Sequence, residues 1–231
     1  MGSPIILALD TKDLTEAQNW IEISMPKIDH FKVGLEFFLK HGINSVAALK
    51  KKYKFNLFLD LKLYDIPNTV KGAVESVSTL EPKFLTVHAS GGAKMINTAA
   101  AALPSGSITA VTVLTSFSED EFSLLGFKDG IQSTVKLWAT QAINAGATSL
   151  VCSPHEAKII RSISKDVVII TPGVRAPGDD VGDQSRVMTP KEALDNGANF
   201  VVIGRSITKE SAIGADAMQK KINQIIESLK S

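Results

Sequence analysis

Five charged residues in the first third of the chain have types and spacing that could do chemistry: Asp10, Lys32, Asp60, Lys62 and Asp65. Asp60-Leu61-Lys62 alternates, so within a strand the acid and the ammonium share one face while Leu59 and Leu61 turn to the other. Asp65 follows three residues later, on a turn that enters a helix beginning near Pro67. Charges gathered in this way fit either a reaction site or a structural ion-pair network that plugs the end of a sheet. Each buried charge costs several kcal/mol in lost hydration, and five charges are more than a plug needs. Asp65 alone also fits a plain helix N-terminal acid.

A second group of residues points to the ligand. Phe200-Val-Val-Ile-Gly204-Arg205-Ser-Ile-Thr and Val167-Val-Ile-Ile-Thr-Pro-Gly-Val-Arg175 each run from an apolar stretch into a glycine and an arginine. Glycine lets backbone N–H groups approach an anion closely and arginine adds charge-assisted hydrogen bonds, which together fit a phosphate monoester. Residues 173–188 hold three Gly, one Pro and three Asp with little apolar periodicity. A loop of that length in a small domain is usually functional, and it reads as a lid with Gln184 as its candidate inward contact. A solvent-exposed Gln184 is the bland alternative.

The elements that must position these groups can be read from periodicity. Eight short apolar runs recur: 5–9, 31–34, 55–62, 84–88, 108–114, 148–152, 167–171 and 200–204. They lack strict polar alternation, as parallel strands covered on both faces do. Between them apolar residues return every three or four positions, as in Leu14, Ala17, Trp20 and Ile21, or Val70, Val74, Val77 and Leu80. Asn144-Ala-Gly146 and Asn196-Gly197 follow such segments and precede strands, where glycine ends a helix in the left-handed conformation. Eight units of about 29 residues match a single α/β domain, a (β/α)8 TIM barrel over residues 1–231. A doubly wound sheet would need a glycine-rich first turn, and this chain has Asp10-Thr-Lys-Asp13 there. In a barrel the chemistry sits where strands end, which is where Asp10, Lys32, Asp60, Lys62 and His88 fall. His88 reads as a hydrogen-bonded rim or core residue, and Cys152 and His155 as structural.

Composition excludes several classes. The chain is 44% hydrophobic and 21% charged with formal net charge +1, which is ordinary for a globular domain and not for a disordered one. One cysteine among 231 residues cannot make an internal disulfide, so the expected setting is cytoplasmic. Balanced charge gives no footprint for nucleic acid, and no apolar stretch is long enough to span a membrane. The Lys50-Lys51-Lys52 run reads as a solvated helix end.

Asp60-Leu-Lys62-Leu-Tyr-Asp65-Ile-Pro67-Asn-Thr69-Val resembles the DxKxxDIPNTV signature of the orotidine 5'-phosphate decarboxylase family in its shorter bacterial form. LALD, FKVG, VHASGG, VLTSFS, TPGVR, GDQ and VIGRSIT follow in the family's order over nearly the whole chain. The resemblance implies cofactor-free, metal-free conversion of orotidine 5'-phosphate to UMP and CO2 in de novo pyrimidine biosynthesis. It makes Lys62 the proton donor to C6, Asp60 the carboxylate beside the departing CO2, and Lys32 and Asp65 the rest of a Lys-Asp-Lys-Asp array. It further implies a homodimer in which Asp65 and Thr69 reach the neighbouring subunit's site. Asp10 and Lys32 would hold the ribose, Thr115 and Ser118 would lie near the pyrimidine or lid, Gln184 would join lid to ligand, and Gly204, Arg205 and Arg175 would hold the phosphate. D-x-K-x-x-D alone is shared with Mg2+-dependent barrels such as 3-keto-L-gulonate 6-phosphate decarboxylase and hexulose 6-phosphate synthase. Those would call for an acid on strand two, where this chain has Lys32. A catalytically silent phosphate-binding barrel is a third reading.

Overall fold

Eight parallel strands close on themselves in sequence order, each pairing with the next and the last pairing with the first. They are β1 (Ile5–Ala8), β2 (His30–Gly34), β3 (Asn56–Leu63), β4 (Phe84–His88), β5 (Ser107–Val111), β6 (Ser149–Val151), β7 (Val168–Thr171) and β8 (Phe200–Ile203). A computed structural model describes residues 2–174 and 188–230. The expected (β/α)8 barrel is therefore the observed one, with every predicted strand present. Three boundaries differ in ways that matter for the site. β1 stops at Ala8, so Asp10 stands on the loop two residues beyond it. β2 begins one residue early, at His30. β5 ends at Val111 rather than Leu114, and the chain leaves the sheet after the Thr112 N–H donates to the Val151 carbonyl at 3.0 Å.

The connecting helices start where the sequence supplies caps. In α1 (Leu14–Ser24) the Asp13 side chain accepts from the backbone N–H groups of Thr15 and Glu16 at 2.7 and 3.1 Å. Pro67 opens α3 (Pro67–Ser78), where its missing N–H costs nothing. α2 (Leu35–Tyr53) is broken at Gly42, whose φ of 70° no helix accommodates. Its buried residues Phe37, Val46 and Leu49 thus lie on two helical pieces rather than one. After β4 comes α4 (Gly92–Ala102), and after β5 two helices appear instead of one, α5 (Glu119–Leu124) and α6 (Gly130–Asn144). α7 (Ala157–Ile163) and α8 (Pro190–Asp195) follow β6 and β7, and β8 leads through a four-residue α9 (Arg205–Thr208) to α10 (Ala215–Ser228). Gly146 and Gly197 take φ of 100° and 105°, the helix-ending role expected of them. Among the described residues no helix is long and apolar enough to cross a membrane.

Alternation along the strands divides the core in two. Ile5, Leu7, Phe31, Val33, Leu57, Leu59, Leu85 and Val87 face outward and pack with the helix stripes. Ile6, Ala8, Phe58, Phe84, Val111, Val151, Ile170 and Val202 fill the barrel interior. The interior is a packed layer stack, so a ligand can reach only its open end. Toward the strand starts the rings of His30, Phe84 and Phe200 meet at centroid distances of 4.8 to 6.3 Å and plug the barrel. His30 Nδ1 lies 2.7 Å from Asp29 Oδ1, while its buried Nε2 has no hydrogen-bond partner among the described residues.

Burial holds the His30 pKa below the ordinary histidine value, against the raising pull of Asp29. The unfolded chain therefore binds this proton more readily than the folded one, and stability drains away as pH falls through about 6.5, the unfolded value. His30→Phe should show a smaller drop in thermal midpoint than the wild type on going from about pH 7 to about pH 5. Calorimetry across that range checks it; parallel curves for the two proteins would remove His30 as a source of the acid sensitivity.

Candidate active site

The chemistry-bearing triplet sits on an irregularity of β3. Leu59 pairs with Leu85 and Leu63 pairs with Val87, so three residues of β3 face the single intervening residue Thr86 of β4. Such a bulge bends the strand and re-aims its side chains. Lys62 absorbs the distortion with φ of 50°, a conformation that costs a non-glycine residue of order 1–3 kcal/mol. The Thr86 hydroxyl accepts from the Lys62 backbone N–H at 2.8 Å and donates to Asp60 Oδ1 at 3.2 Å.

The charged groups form a continuous chain across the barrel mouth. Lys62 Nζ donates to Asp60 Oδ1 at 2.8 Å, Asp60 Oδ2 lies 3.6 Å from Lys32 Nζ, and Lys32 Nζ donates to Asp10 Oδ1 at 2.8 Å. Side-chain exposure grades along it, from 10% for Lys32 and 12% for Asp60 to 31% for Lys62 and 52% for Asp10. The inner pair is locked in its charged state and the outer pair meets solvent. Burial is the largest influence on Lys32 and pulls its pKa down, but Asp60 and Asp10 outweigh it and hold the ammonium above the ordinary lysine value. Burial likewise pushes Asp60 up, and Lys32, Lys62 and the Thr86 hydrogen bond together bring it below the usual carboxylate range. Gly34, at the end of β2, makes room for this arrangement. A Cβ there would stand 2.9 Å from Lys32 Nζ and 3.2 Å from Asp10 Oδ1.

Above the chain opens a cavity of about 550 Å³, within the size range of small-molecule sites. Its polar wall carries Asp10, Lys32, Glu36, Asp60, Lys62, Thr115 and Arg205, and its floor is apolar, with Ala8, Phe58, Val111, Val151 and Val202. Gly204 and Arg205 line the side formed after β8, as the strand-end rule expects. Asp65 and Thr69 do not line this cavity and are exposed beside it, with the Ile66 N–H donating to Asp65 Oδ1 at 2.6 Å. Ser118 is not brought to the cavity either. It caps α5, its hydroxyl engaged with Glu121 at 2.9 Å in a reciprocal capping box, as Ser-x-x-Glu at a helix start dictates. Arg175, Gln184 and most of the proposed lid lie outside the described residues, whose edges Val174 and Met188 pair in parallel.

His88 is half-buried at the end of β4 with its ring 5.6 Å from that of Tyr64. Burial and the nearby Lys62 ammonium lower its pKa, which leaves it neutral and fits a rim role. Cys152 is fully buried and burial raises its thiol, as for a core residue; His155 is exposed. Two contributors escaped the sequence reading. Glu36 follows FKVG at the start of α2 and looks like an ordinary helix N-terminal acid, while Thr86 is one threonine within an apolar strand. The even spacing of Phe84, Thr86 and His88 was the signal for Thr86, since it places all three inside the barrel.

Comparison with known proteins agrees with this geometry. The family described as Orotidine 5'-phosphate decarboxylase / HUMPS matches residues 3–219. An orotidine 5'-phosphate decarboxylase of Thermobifida fusca (strain YX) is 47% identical over 218 residues, covering 94% of each chain. One from Wolbachia pipientis subsp. Culex pipiens (strain wPip) is 46% identical over 213 residues, covering 90% of this chain and 93% of the relative. The crystal structure of orotidine 5'-phosphate decarboxylase from Lactobacillus acidophilus superposes with a TM-score of 0.81 at 31% identity, over 96% of this chain and 98% of that one. Matched from its third residue to the start of its last helix, the chain belongs to the Orotidine 5'-phosphate decarboxylase / HUMPS family.

Proposed function

We propose that this protein decarboxylates orotidine 5'-phosphate to UMP and CO2 with its own side chains, as a step of pyrimidine nucleotide synthesis. The observation that carries the reading is the Asp10–Lys32–Asp60–Lys62 chain lying beneath a cavity of nucleotide size. Loss of CO2 from C6 breaks the C6–carboxylate bond and leaves its electron pair on C6, in an orbital the ring carbonyls cannot delocalise. Stabilisation must then come from fixed charge aimed at that carbon. Lys62 is the group for it: its ammonium faces the developing carbanion and delivers a proton to C6, and solvent restores the proton afterwards. Asp60, ionised and buried, opposes the substrate carboxylate. Two like charges about 4 Å apart at an effective dielectric near 20 repel by on the order of 4 kcal/mol. Enzymes lower barriers by roughly 8–23 kcal/mol, so Lys62 and binding of the remote phosphate must supply the rest.

Lys32 and Asp10 face the ribose hydroxyls in this reading, Thr115 the pyrimidine, and Gly204 with Arg205 the phosphate. Arg175 and Gln184 keep their expected roles as ligands from the 173–188 loop. The Mg2+-dependent chemistry of related barrels is disfavoured by charge: Lys32 Nζ stands between Asp10 and Asp60, where a dication would need another acid. Asp65 and Thr69, exposed and turned from their own cavity, suit donation to a second subunit. Tyr64 and Ile66 flank them with 62% and 66% exposure, as an apolar contact surface would. The active form is then a cytoplasmic homodimer.

Incubation with orotidine 5'-phosphate and excess EDTA, followed by ultraviolet absorbance, should show turnover by the wild type. Lys62→Ala should lose at least about 10²- to 10⁴-fold in kcat, the range for a positioned proton donor. A silent wild type, or a Lys62→Ala variant as active as its parent, sinks the assignment. Mixing Lys62→Ala with Asp65→Ala subunits should restore activity through the one intact site of a mixed dimer; no recovery despite demonstrated subunit exchange would argue against a shared site. Gly34→Ala keeps an allowed backbone, since φ is −94°, yet displaces Lys32 from Asp10. Its kcat/KM should fall roughly 10- to 100-fold, by misplacement of a charged group, with the thermal midpoint little changed. Wild-type kinetics in that variant would show the close approach to be unimportant.

A further inference from the structure

Thr86 has no place in the charged array, yet it is fully buried and touches two of the array's members, Asp60 and Lys62. A hydroxyl carries one proton and two lone pairs. The proton is committed to Asp60 Oδ1 and a lone pair to the Lys62 backbone N–H, so one oxygen atom ties the carboxylate to the distorted main chain of the lysine beside it. We propose that Thr86 is a positioning residue for the reaction, whose hydroxyl holds Lys62 in its left-handed conformation and thereby sets the Lys62 ammonium against Asp60. This rests on the function proposed above.

Several features make the hydroxyl, rather than the residue's bulk, the working part. Lys62 sits at φ of 50° without being glycine, and such a conformation persists only where the surroundings over-determine it. The register shift leaves Thr86 as the one β4 residue facing Asp60, Leu61 and Lys62, so no neighbouring strand residue shares the task. The residue is 0% exposed, so water does not replace the hydrogen bonds when the hydroxyl is removed. Branching at Cβ fixes the rotamer and hence the direction of both bonds. Packing on the helix side belongs to Leu85 and Val87 instead, which face the outer core.

Thr86→Val keeps volume and branching and deletes both hydrogen bonds; Thr86→Ser keeps the hydroxyl and deletes the methyl. With orotidine 5'-phosphate as substrate, Thr86→Val should lower kcat by about 10- to 100-fold with KM within about threefold of wild type, because the phosphate and ribose contacts are untouched. Thr86→Ser should stay within about threefold of wild type in both constants. The charged and titratable groups that face Asp60 are Lys32 from β2 and Lys62 from β3, with His88 at the end of β4 and Asp10 behind Lys32. Loss of the Thr86 donor alone should therefore move the acidic limb of kcat/KM to higher pH in Thr86→Val and not in Thr86→Ser. Wild-type kcat and acidic limb in Thr86→Val, or a Thr86→Ser variant as impaired as Thr86→Val, would overturn the proposal. So would a loss expressed wholly in KM. A wild type that does not turn over the substrate marks failure of the functional reading instead, and a crystal structure of Thr86→Val then decides the matter: Lys62 should leave φ > 0 or move its ammonium out of hydrogen-bond reach of Asp60, and an unmoved Lys62 refutes the positioning role.

Discussion

A carboxylate with only 12% of its side chain exposed is costly to keep ionised, and Asp60 is kept so by two ammonium groups and a hydroxyl. Its two oxygens face different cations, Lys62 on one side and Lys32 on the other. Lys32, more buried still, is answered in turn by Asp10. Remove any inner member and an uncompensated charge is left in the barrel, a change typically worth roughly 3–5 kcal/mol. The constraint propagates outward: Gly34 must lack a side chain, β3 must bulge, and Lys62 must accept an unfavourable backbone conformation. On the proposed reaction, folding thereby prepays the ordering of charge that a localised carbanion requires.

The closed barrel makes that investment possible. Its interior below the charged layer is filled by apolar side chains, among them Ile6, Phe58 and Ile170, with an aromatic plug around His30 toward the strand starts. Ionic groups above such a floor are screened weakly, so their attraction and repulsion keep more of their strength than they would in water. The same floor supplies the apolar side of the cavity on which a flat ring can rest, while the charges and Arg205 occupy its polar wall. Stability and polarity are thus stacked along one axis, apolar at one end and charged at the other, as strand alternation over a tilted barrel dictates.

How much of this was legible in the sequence depends on the range of the interaction. All eight strands could be read because buried parallel strands are uninterrupted apolar runs, and the helix stops at Gly146 and Gly197 because only glycine sits easily at such φ values. Asp60 and Lys62 were found because alternation is strictly local. The β3 bulge was not, since the two extra residues in one strand are defined only against its partner, and nothing in Asp60-Leu-Lys62 announces Thr86 two dozen positions away. Ser118 shows the opposite case. The family resemblance places it near the pyrimidine or lid, while its own Ser-x-x-Glu pattern describes a helix cap, which is where the structure has it. Glu36 was hidden for a similar reason, because an acid at a helix start has an ordinary explanation until the cavity wall is seen.

The near-neutral composition also takes on a different meaning beside the structure. A net charge of +1 over 231 residues describes the surface average, whereas the barrel mouth alternates acid and base at hydrogen-bond spacing. Alternation of this kind cancels at a distance and is strong at contact, because opposed charges a few ångströms apart screen one another beyond the site. On the proposed reaction, a substrate carrying both a carboxylate and a phosphate therefore meets little long-range field and would be sorted at short range, the phosphate toward Arg205 and the reacting carbon toward Lys62. Binding energy gathered at the phosphate end would then hold the carboxylate against Asp60, as the proposed reaction requires, in a contact it would not choose on its own. On that reading, the order of the charges along the chain from Asp10 to Lys62, rather than their number, is what would give the two ends of one cavity opposite tasks.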